Sequence, residues 1–104
     1  MSALATSLLP TIKLTLRETS NAFDDEIKSY IDSCITDLTN SGMKSSLFPN
    51  DASGLDNMIL QAIRYYCLSN YGLYNEDSDK YAKSYLSVKA HLLVQQKYIN
   101  EDNN

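Results

Sequence analysis

The stretch AFDDEIKSYIDSCITDL, residues 22–38, decides the fold class. Its apolar side chains recur every three or four residues, as on one face of an α-helix: Phe23, Ile27, Tyr30, Ile31, Cys34, Ile35 and Leu38. Ser20 or Asn21 is the predicted N-cap, and three acids occupy the first turn, where the helix dipole favours negative charge. Gly42 is the predicted C-terminal stop. This stretch therefore predicts a long amphipathic helix.

Helical patterns continue on both sides of it. A short first helix is predicted from Leu8 to Arg17, with Pro10 in its first turn, where a missing amide hydrogen costs least. Residues 43–54, MKSSLFPNDASG, have no period and predict a long surface loop. A Ser-x-x-acid start at Ser53 and Asp56 opens the next helix, which we expect to be the most enclosed one.

The last helix follows a polar turn and completes the predicted core. It places Tyr81, Tyr85, Val88 and Leu92 on one face. The expected core comprises Ile27, Ile31, Ile35, Leu38, Ile59, Ala62, Ile63, Tyr66, Tyr85, Val88 and Leu92. The prediction is an all-α, single-domain bundle over residues 1–104. It has three long helices plus a short N-terminal helix, with a long loop between the second and third. We expect an ordered core over about residues 8–97 and a polar tail over 98–104.

The amino-acid composition argues against two classes of protein, those that bind nucleic-acid backbones and those that span a membrane. The 104 residues are 43% apolar and 21% charged, with a net charge of −4, which is typical of an ordinary globular domain. A net negative chain is unsuited to gripping phosphate backbones. The apolar runs are only a few residues long, which argues against a membrane span.

The sequence offers no catalytic, cofactor or metal site. His91 is the only histidine, and the two cysteines, Cys34 and Cys67, lie on apolar helical stripes. A Cys67–His91 dyad is disfavoured because apolar surroundings raise the pKa of a thiol. We expect both thiols to be reduced core residues. The tyrosines at 65, 66, 71, 74, 81 and 85 are expected to pack in the core and between helices, since no basic groove accompanies them.

The order of these features resembles a known family. One predicted helix ends in an aromatic-rich segment, QAIRYYCLSNYG, residues 61–72. The next helix carries a Tyr-x-x-Ser-Tyr-x-x-x-Lys pattern in DKYAKSYLSVKAHL, residues 79–92. Over roughly residues 8–97 the chain resembles the small head–tail connector, or head-completion and DNA-packaging, proteins of tailed bacteriophages and prophages. These matching motifs belong to helical packing rather than to catalysis.

The resemblance implies a non-enzymatic structural protein of the virion, without cofactors, assembled in the bacterial host cytoplasm. Family members form a ring of about a dozen copies beneath the portal protein at the head–tail interface. The ring extends the DNA channel, through which DNA passes without specific binding, and offers a platform to stopper or tail-completion proteins. No membrane is involved.

Two sets of residues become candidates under this resemblance. If the long second helix faces the channel, Asp24, Asp25, Asp32 and Asp37 supply a negative wall, although a merely solvated helix face is the commoner role for each. The aperiodic loop exposes Met43, Leu47, Phe48 and Pro49, which either tuck under their own domain or dock on a partner. Tyr98 and Ile99 form a second candidate contact that orders on assembly.

An alternative to the connector is a small helical adaptor or regulatory binding module that acts through one protein partner. The size of the oligomer separates the two hypotheses. A ring of about a dozen subunits favours the connector, whereas a strict monomer or a heterodimer favours the adaptor. A helix-turn-helix regulator is disfavoured, because none of the helices is basic enough for recognition of DNA.

Overall fold

The computed structural model describes residues 2–72 and 76–100. It contains four α-helices: α1 (Ala3–Leu16), α2 (Asp24–Asn40), α3 (Asn57–Asn70) and α4 (Ser78–Leu93). Single-turn 3₁₀ helices lie at Ser45–Leu47, Ala52–Gly54 and Gln96–Tyr98. Within the described ranges there is no β-strand, and Met43 and Ile99 form an isolated antiparallel bridge. The all-α prediction is confirmed.

Helix α3 lies at the centre, in contact with all three other helices. Of the predicted core residues, eight are buried: Ile27, Ile31, Leu38, Ile59, Ala62, Ile63, Tyr85 and Leu92. The remaining three, Ile35, Tyr66 and Val88, are partly exposed and pack against that core. The helical period therefore identified the faces that point inward.

Helix α1 is longer than the sequence suggested. It begins at Ala3 instead of Leu8 and has 14 residues, as many as α3. Ser2 caps it, because its Oγ accepts a hydrogen bond from the Ala5 amide at 3.0 Å. Pro10 consequently lies inside the helix. Because proline has no amide hydrogen, the Thr6 carbonyl loses its helical hydrogen-bond donor. The helix tolerates this loss because Thr6 and Pro10 are both exposed, so water can replace the donor.

The predicted caps of α2 are right at one end and wrong at the other. Helix α2 begins at Asp24, and Phe23 occupies the N-cap position without a side-chain hydrogen bond. Ser20 instead accepts a hydrogen bond from the Ala22 amide, two residues along. At the far end Gly42 adopts φ +116°, and the Met43 amide bonds the Leu38 carbonyl at 3.2 Å. This geometry is a Schellman motif.

The start of α3 also differs in detail from the predicted capping box. Asp56 is itself the N-cap, since its Oδ1 accepts hydrogen bonds from the amides of Met58 and Ile59 at 2.8 and 3.2 Å. Ser53 lies in the preceding 3₁₀ turn. An N-cap aspartate satisfies two amides that no helical carbonyl can reach, so the box partner is not needed.

Candidate assembly surfaces

Residues 98–100 are hydrogen-bonded to residues 42–44, and we call this pair of segments the clasp. The Lys44 amide donates to the Tyr98 carbonyl at 2.9 Å, and the Asn100 amide donates to the Gly42 carbonyl at 2.8 Å. The Tyr98 hydroxyl also donates to Asp56 Oδ2 at 2.8 Å. Three residues of the predicted polar tail therefore belong to the folded protomer, while residues 101–104 lie outside the described part of the chain.

The clasp places the predicted interface residues close to the core. Met43 and Tyr98 are buried in the protomer, so Met43 adopts the tucked arrangement, one of the two that the sequence left open for the loop. The other four, Leu47, Phe48, Pro49 and Ile99, are half-buried. Two 3₁₀ turns fold the loop back on the helices, and the Ala52 amide bonds Ser7 Oγ of α1 at 2.8 Å. A role for these six residues in assembly stays a prediction.

The four candidate channel acids point in different directions. Asp24 forms a salt bridge of 2.8 Å with Lys13 of α1. Asp32 accepts hydrogen bonds from the Ser2 amide and hydroxyl. Asp37 faces α4, where Tyr85 and Lys89 both donate to it. Only Asp25 leaves most of its side chain in solvent, 3.7 Å from Lys28.

The outer face of α2 is polar and begins with two acids. Its exposed residues follow a helical spacing: Asp25, Glu26, Ser29, Ser33, Thr36 and Asn40. No lysine or arginine lies among them. The candidate acids are spread along the whole helix in the sequence, whereas the structure leaves this narrower surface exposed.

Three tyrosine hydroxyls join separate parts of the fold through carboxylates. Tyr71 donates to Glu18, Tyr85 to Asp37, and Tyr98 to Asp56. The hydrogen bond from Tyr71 lowers the pKa of Glu18. Burial opposes ionisation of Asp37 and Asp56, but the hydrogen bonds they accept outweigh it and lower the pKa of each.

Ring packing between tyrosines joins α3 and α4 at two places. The rings of Tyr66 and Tyr85 meet edge to face with centroids 5.2 Å apart, and those of Tyr65 and Tyr81 stack at 6.4 Å. All four tyrosines thus contribute to packing between α3 and α4, and Tyr85 also bonds Asp37 of α2. Tyr74 lies outside the described residues.

The thiol and imidazole candidates are kept apart. Cys34 and Cys67 are free, buried cysteines, and burial raises the pKa of both, that of Cys67 to about 12. His91 is exposed and lines a groove between α3 and α4. Across residues 2–72 and 76–100, no cluster of three or more histidine, cysteine or acidic side chains is arranged to hold a metal.

Two uncharged surface stripes escaped the sequence analysis. On α1 the exposed residues Ala3, Thr6, Pro10 and Leu14 share one face, which we call the α1 stripe. On α4 the exposed residues Leu86, Ala90 and Val94 form the α4 stripe. Their spacing of three and four residues was readable in the sequence. The pattern alone, however, did not separate an outward stripe from an inward one.

These surfaces indicate the general class of the protein. The protomer is a small helical module whose acids and tyrosines fix its own elements, and whose free surfaces are polar or apolar helix faces. The model of the phage connector protein family matches residues 8–99, and the chain belongs to this family. Neither a curated protein nor a solved structure matches the chain.

Membership of the phage connector family indicates the general role of this protein. Phage connector proteins are structural rather than enzymatic, and the family places the chain in the virion. Within the described residues, none of the helices combines the length and apolarity needed to cross a membrane.

Proposed function

We propose that this protein is a head–tail connector that forms a homo-oligomeric ring beneath the portal protein of a tailed phage. The ring extends the DNA channel and provides a docking platform for stopper or tail-completion proteins. The match of the connector family over residues 8–99 is the observation that carries this proposal, because it spans all four helices except the first five residues of α1. The protomer assembles in the cytoplasm of the bacterial host and acts in the virion.

The charge of the chain supports the part of the proposal that concerns DNA. A conduit for DNA must not bind phosphates, and like charge keeps a polyanion mobile. The chain has a net charge of −4, and the outer face of α2 presents acids without bases. We propose that this face, beginning at Asp25, lines the channel. Asp24, Asp32 and Asp37 add negative potential from behind it while they bond to other elements.

The test is deletion of the gene from the phage, followed by electron microscopy of the particles. The proposal predicts filled heads without tails, or heads that lose their DNA, and restoration of tailed particles by the gene supplied in trans. Tailed, infectious particles from the deletion would refute it. A stable heterodimer with one unrelated partner and normal virions would favour the adaptor hypothesis instead.

A further inference from the structure

A groove between α3 and α4 contains an arginine without an anionic partner. The groove has a volume of about 470 Å³, and its polar lining includes Gln61 and Arg64 of α3 and His91 of α4. The side chains of Met58 and Val88 supply apolar walls. None of the described residues that line it is acidic. The groove therefore combines one fixed positive charge with apolar surface.

The charge of Arg64 is not neutralised within the described protomer. Arg64 is the only charged residue of α3, and it forms no ion pair with any described residue. Its Nη1 donates one long hydrogen bond, 3.3 Å, to Gln61 Oε1. Its Nε is buried and has no acceptor among the described residues. Because buried donors are nearly always bonded in folded proteins, this one points to an acceptor that the single subunit does not supply.

We propose that this groove binds a glutamate or aspartate side chain of another protein, with Arg64 as the anchor. A guanidinium group presents its donors as a planar fork that matches the two oxygens of a carboxylate. The carboxylate would replace the long bond to Gln61, and a small rotation of the arginine side chain would bring Nε into the same contact. The apolar walls suit an apolar residue next to the acid in the partner's sequence.

DNA is the less suitable anion for this groove. Proteins hold a phosphate backbone with several bases along its length, and each contact releases counterions. Helix α3 offers a single base, and no lysine is among the described residues that line the groove. One isolated arginine between apolar walls fits one carboxylate better than a row of phosphates.

A second copy of this chain is the less suitable source of the carboxylate, because its described acids are engaged elsewhere. Six of them are bonded to other residues of the protomer: Glu18, Asp24, Asp32, Asp37, Asp51 and Asp56. Asp25 and Glu26 belong to the outer face of α2, which the proposed function assigns to the channel. The other three precede Lys80 by one to four residues: Glu76, Asp77 and Asp79. The inference thus names the chemistry of the docking platform and rests on the proposed function for that role.

The two arginines of the chain allow a direct test by nuclear magnetic resonance. Arg17 and Arg64 are the only arginines in the sequence, so the isotopically labelled full chain gives two side-chain Nε–Hε signals. Arg17→Lys and Arg64→Lys assign them. The probe is the N-acetylated, C-amidated peptide Ser-Leu-Glu-Leu-Ser, compared with the same peptide carrying Gln in place of Glu. The Glu peptide should move the Arg64 signal in a saturable way and leave the Arg17 signal in place. The Gln peptide should bind about tenfold more weakly, because it lacks the charge-assisted hydrogen bonds.

Three variants separate binding from folding. Arg64→Gln should weaken binding of the Glu peptide about tenfold, followed through the backbone amide signals of Val88 and His91. Arg17→Gln is the matched control and should leave binding unchanged, since Arg17 is exposed outside the groove. Gln61→Glu keeps Arg64 but places a carboxylate three residues away on the same helix. It should weaken peptide binding without lowering the melting temperature, and in phage it should reduce the yield of tailed particles several-fold.

Other occupants of the groove give distinct results. An Arg64 signal that does not respond, or that responds equally to both peptides, would overturn the inference. A shift of that signal on dilution of the protein alone would assign the groove to a second copy. A shift caused by Glu101→Gln combined with Asp102→Asn, without peptide, would assign it to the chain's own last residues. Tighter binding of a short DNA duplex than of the Glu peptide would assign it to phosphate.

The proposed function and this inference fail separately. Peptide binding that never appears would overturn the inference and leave the result of the gene deletion as it is. Normal tailed particles from phage carrying Gln61→Glu would overturn the docking role of the groove. Peptide binding together with normal virions from the deletion would support the groove and refute the connector role.

Discussion

Tyr98 joins two distant parts of the chain through one hydroxyl group. It is buried, and its hydroxyl donates to the carboxylate of Asp56 that also caps α3. A hydrogen bond to a charged group contributes about 1.5–3 kcal/mol, and we expect a value near or just below the lower end of this range because Asp56 remains partly in contact with solvent. The Tyr98 hydroxyl therefore contributes to stability, although the sequence predicted that residues 98–104 form a polar tail.

We expect Tyr98→Phe to lower the free energy of unfolding by about 1–2 kcal/mol, because Asp56 loses a donor while the ring stays in place. Urea unfolding monitored by circular dichroism measures the change. Tyr81→Phe is the matched control, since the Tyr81 hydroxyl forms no hydrogen bond with the described residues and its loss should have almost no effect. Equal destabilisation by both variants would show that the bond to Asp56 does not contribute.

The carboxylates bonded by tyrosines also set the response to acid. The pKa values of Glu18, Asp37 and Asp56 lie below their ordinary values of 4.5, 3.8 and 3.8. Since folding favours the ionised form, their contribution to stability is complete above those ordinary values. It is lost as the pH falls through the lower values of the folded state.

We therefore expect the free energy of unfolding to decrease below about pH 4.5. Urea unfolding at a series of acidic pH values tests this expectation. Tyr85→Phe should make the decrease shallower, because Asp37 then loses a hydrogen bond that stabilises its charge. Stability that rises on acidification would contradict the assignment of these groups.

At the level of single elements, the end of α2 depends on one glycine. Gly42 has φ +116°, and an added Cβ would meet no atom within 4 Å. The cost of a side chain at this position is therefore one of backbone conformation alone.

We expect Gly42→Ala to destabilise the protein by about 1–2 kcal/mol, the cost of placing an L-residue in the left-handed region. Gly54→Ala is the control, because Gly54 is not in that region and its added Cβ would contact Pro49 at an ordinary 3.5 Å. Thermal unfolding of the two variants measures the difference. A smaller effect at Gly42 than at Gly54 would contradict the Schellman assignment.

The elements with a regular apolar period were predictable from sequence, and those without one were not. The apolar stripe from Ile27 to Leu38 identifies α2, because a 3.6-residue period sustained over that length indicates an amphipathic α-helix. The first turn of α1 was missed because Pro10 suggested a helix start, while the Ser2 cap carries a weaker signal.

Contacts between residues far apart in the chain could not be predicted from the sequence. The burial of Met43 and Tyr98 depends on hydrogen bonds between residues far apart in the chain, and no local pattern encodes such a pairing. The candidate acids were visible, but their partners were not. Asp37 binds Tyr85 and Lys89 from another helix, and only the packed structure brings them together.

For the whole molecule, the outer face of α2 is the surface that the proposed function assigns to the DNA channel. The middle of that face consists of the small polar residues Ser29, Ser33 and Thr36. Positive charge placed there would meet DNA only if the face lines the channel.

We expect Ser33→Lys combined with Thr36→Lys to slow DNA ejection, because fixed positive charges hold phosphates. The effect should be largest at low salt and should fade as salt screens the charges. Ejection kinetics of phage carrying the double variant measure it, with Ser33→Gln combined with Thr36→Gln as the uncharged control. Unchanged kinetics at low salt, in particles that contain the protein, would place this face away from the DNA.

The clasp also determines when a newly made subunit becomes complete. Met43 and Asn100 are 57 residues apart, and the Asn100 side chain donates to the Met43 carbonyl. At translation rates of about 5–20 residues per second, the ribosome makes residue 100 about 3–11 s after residue 43. Helices α1 and α2 are synthesised before that interval, and α3 and α4 are synthesised within it, all before the segment that pairs with residues 42–44. Each nascent chain therefore passes through a stage in which Met43 lacks the segment that pairs with it in the folded protomer.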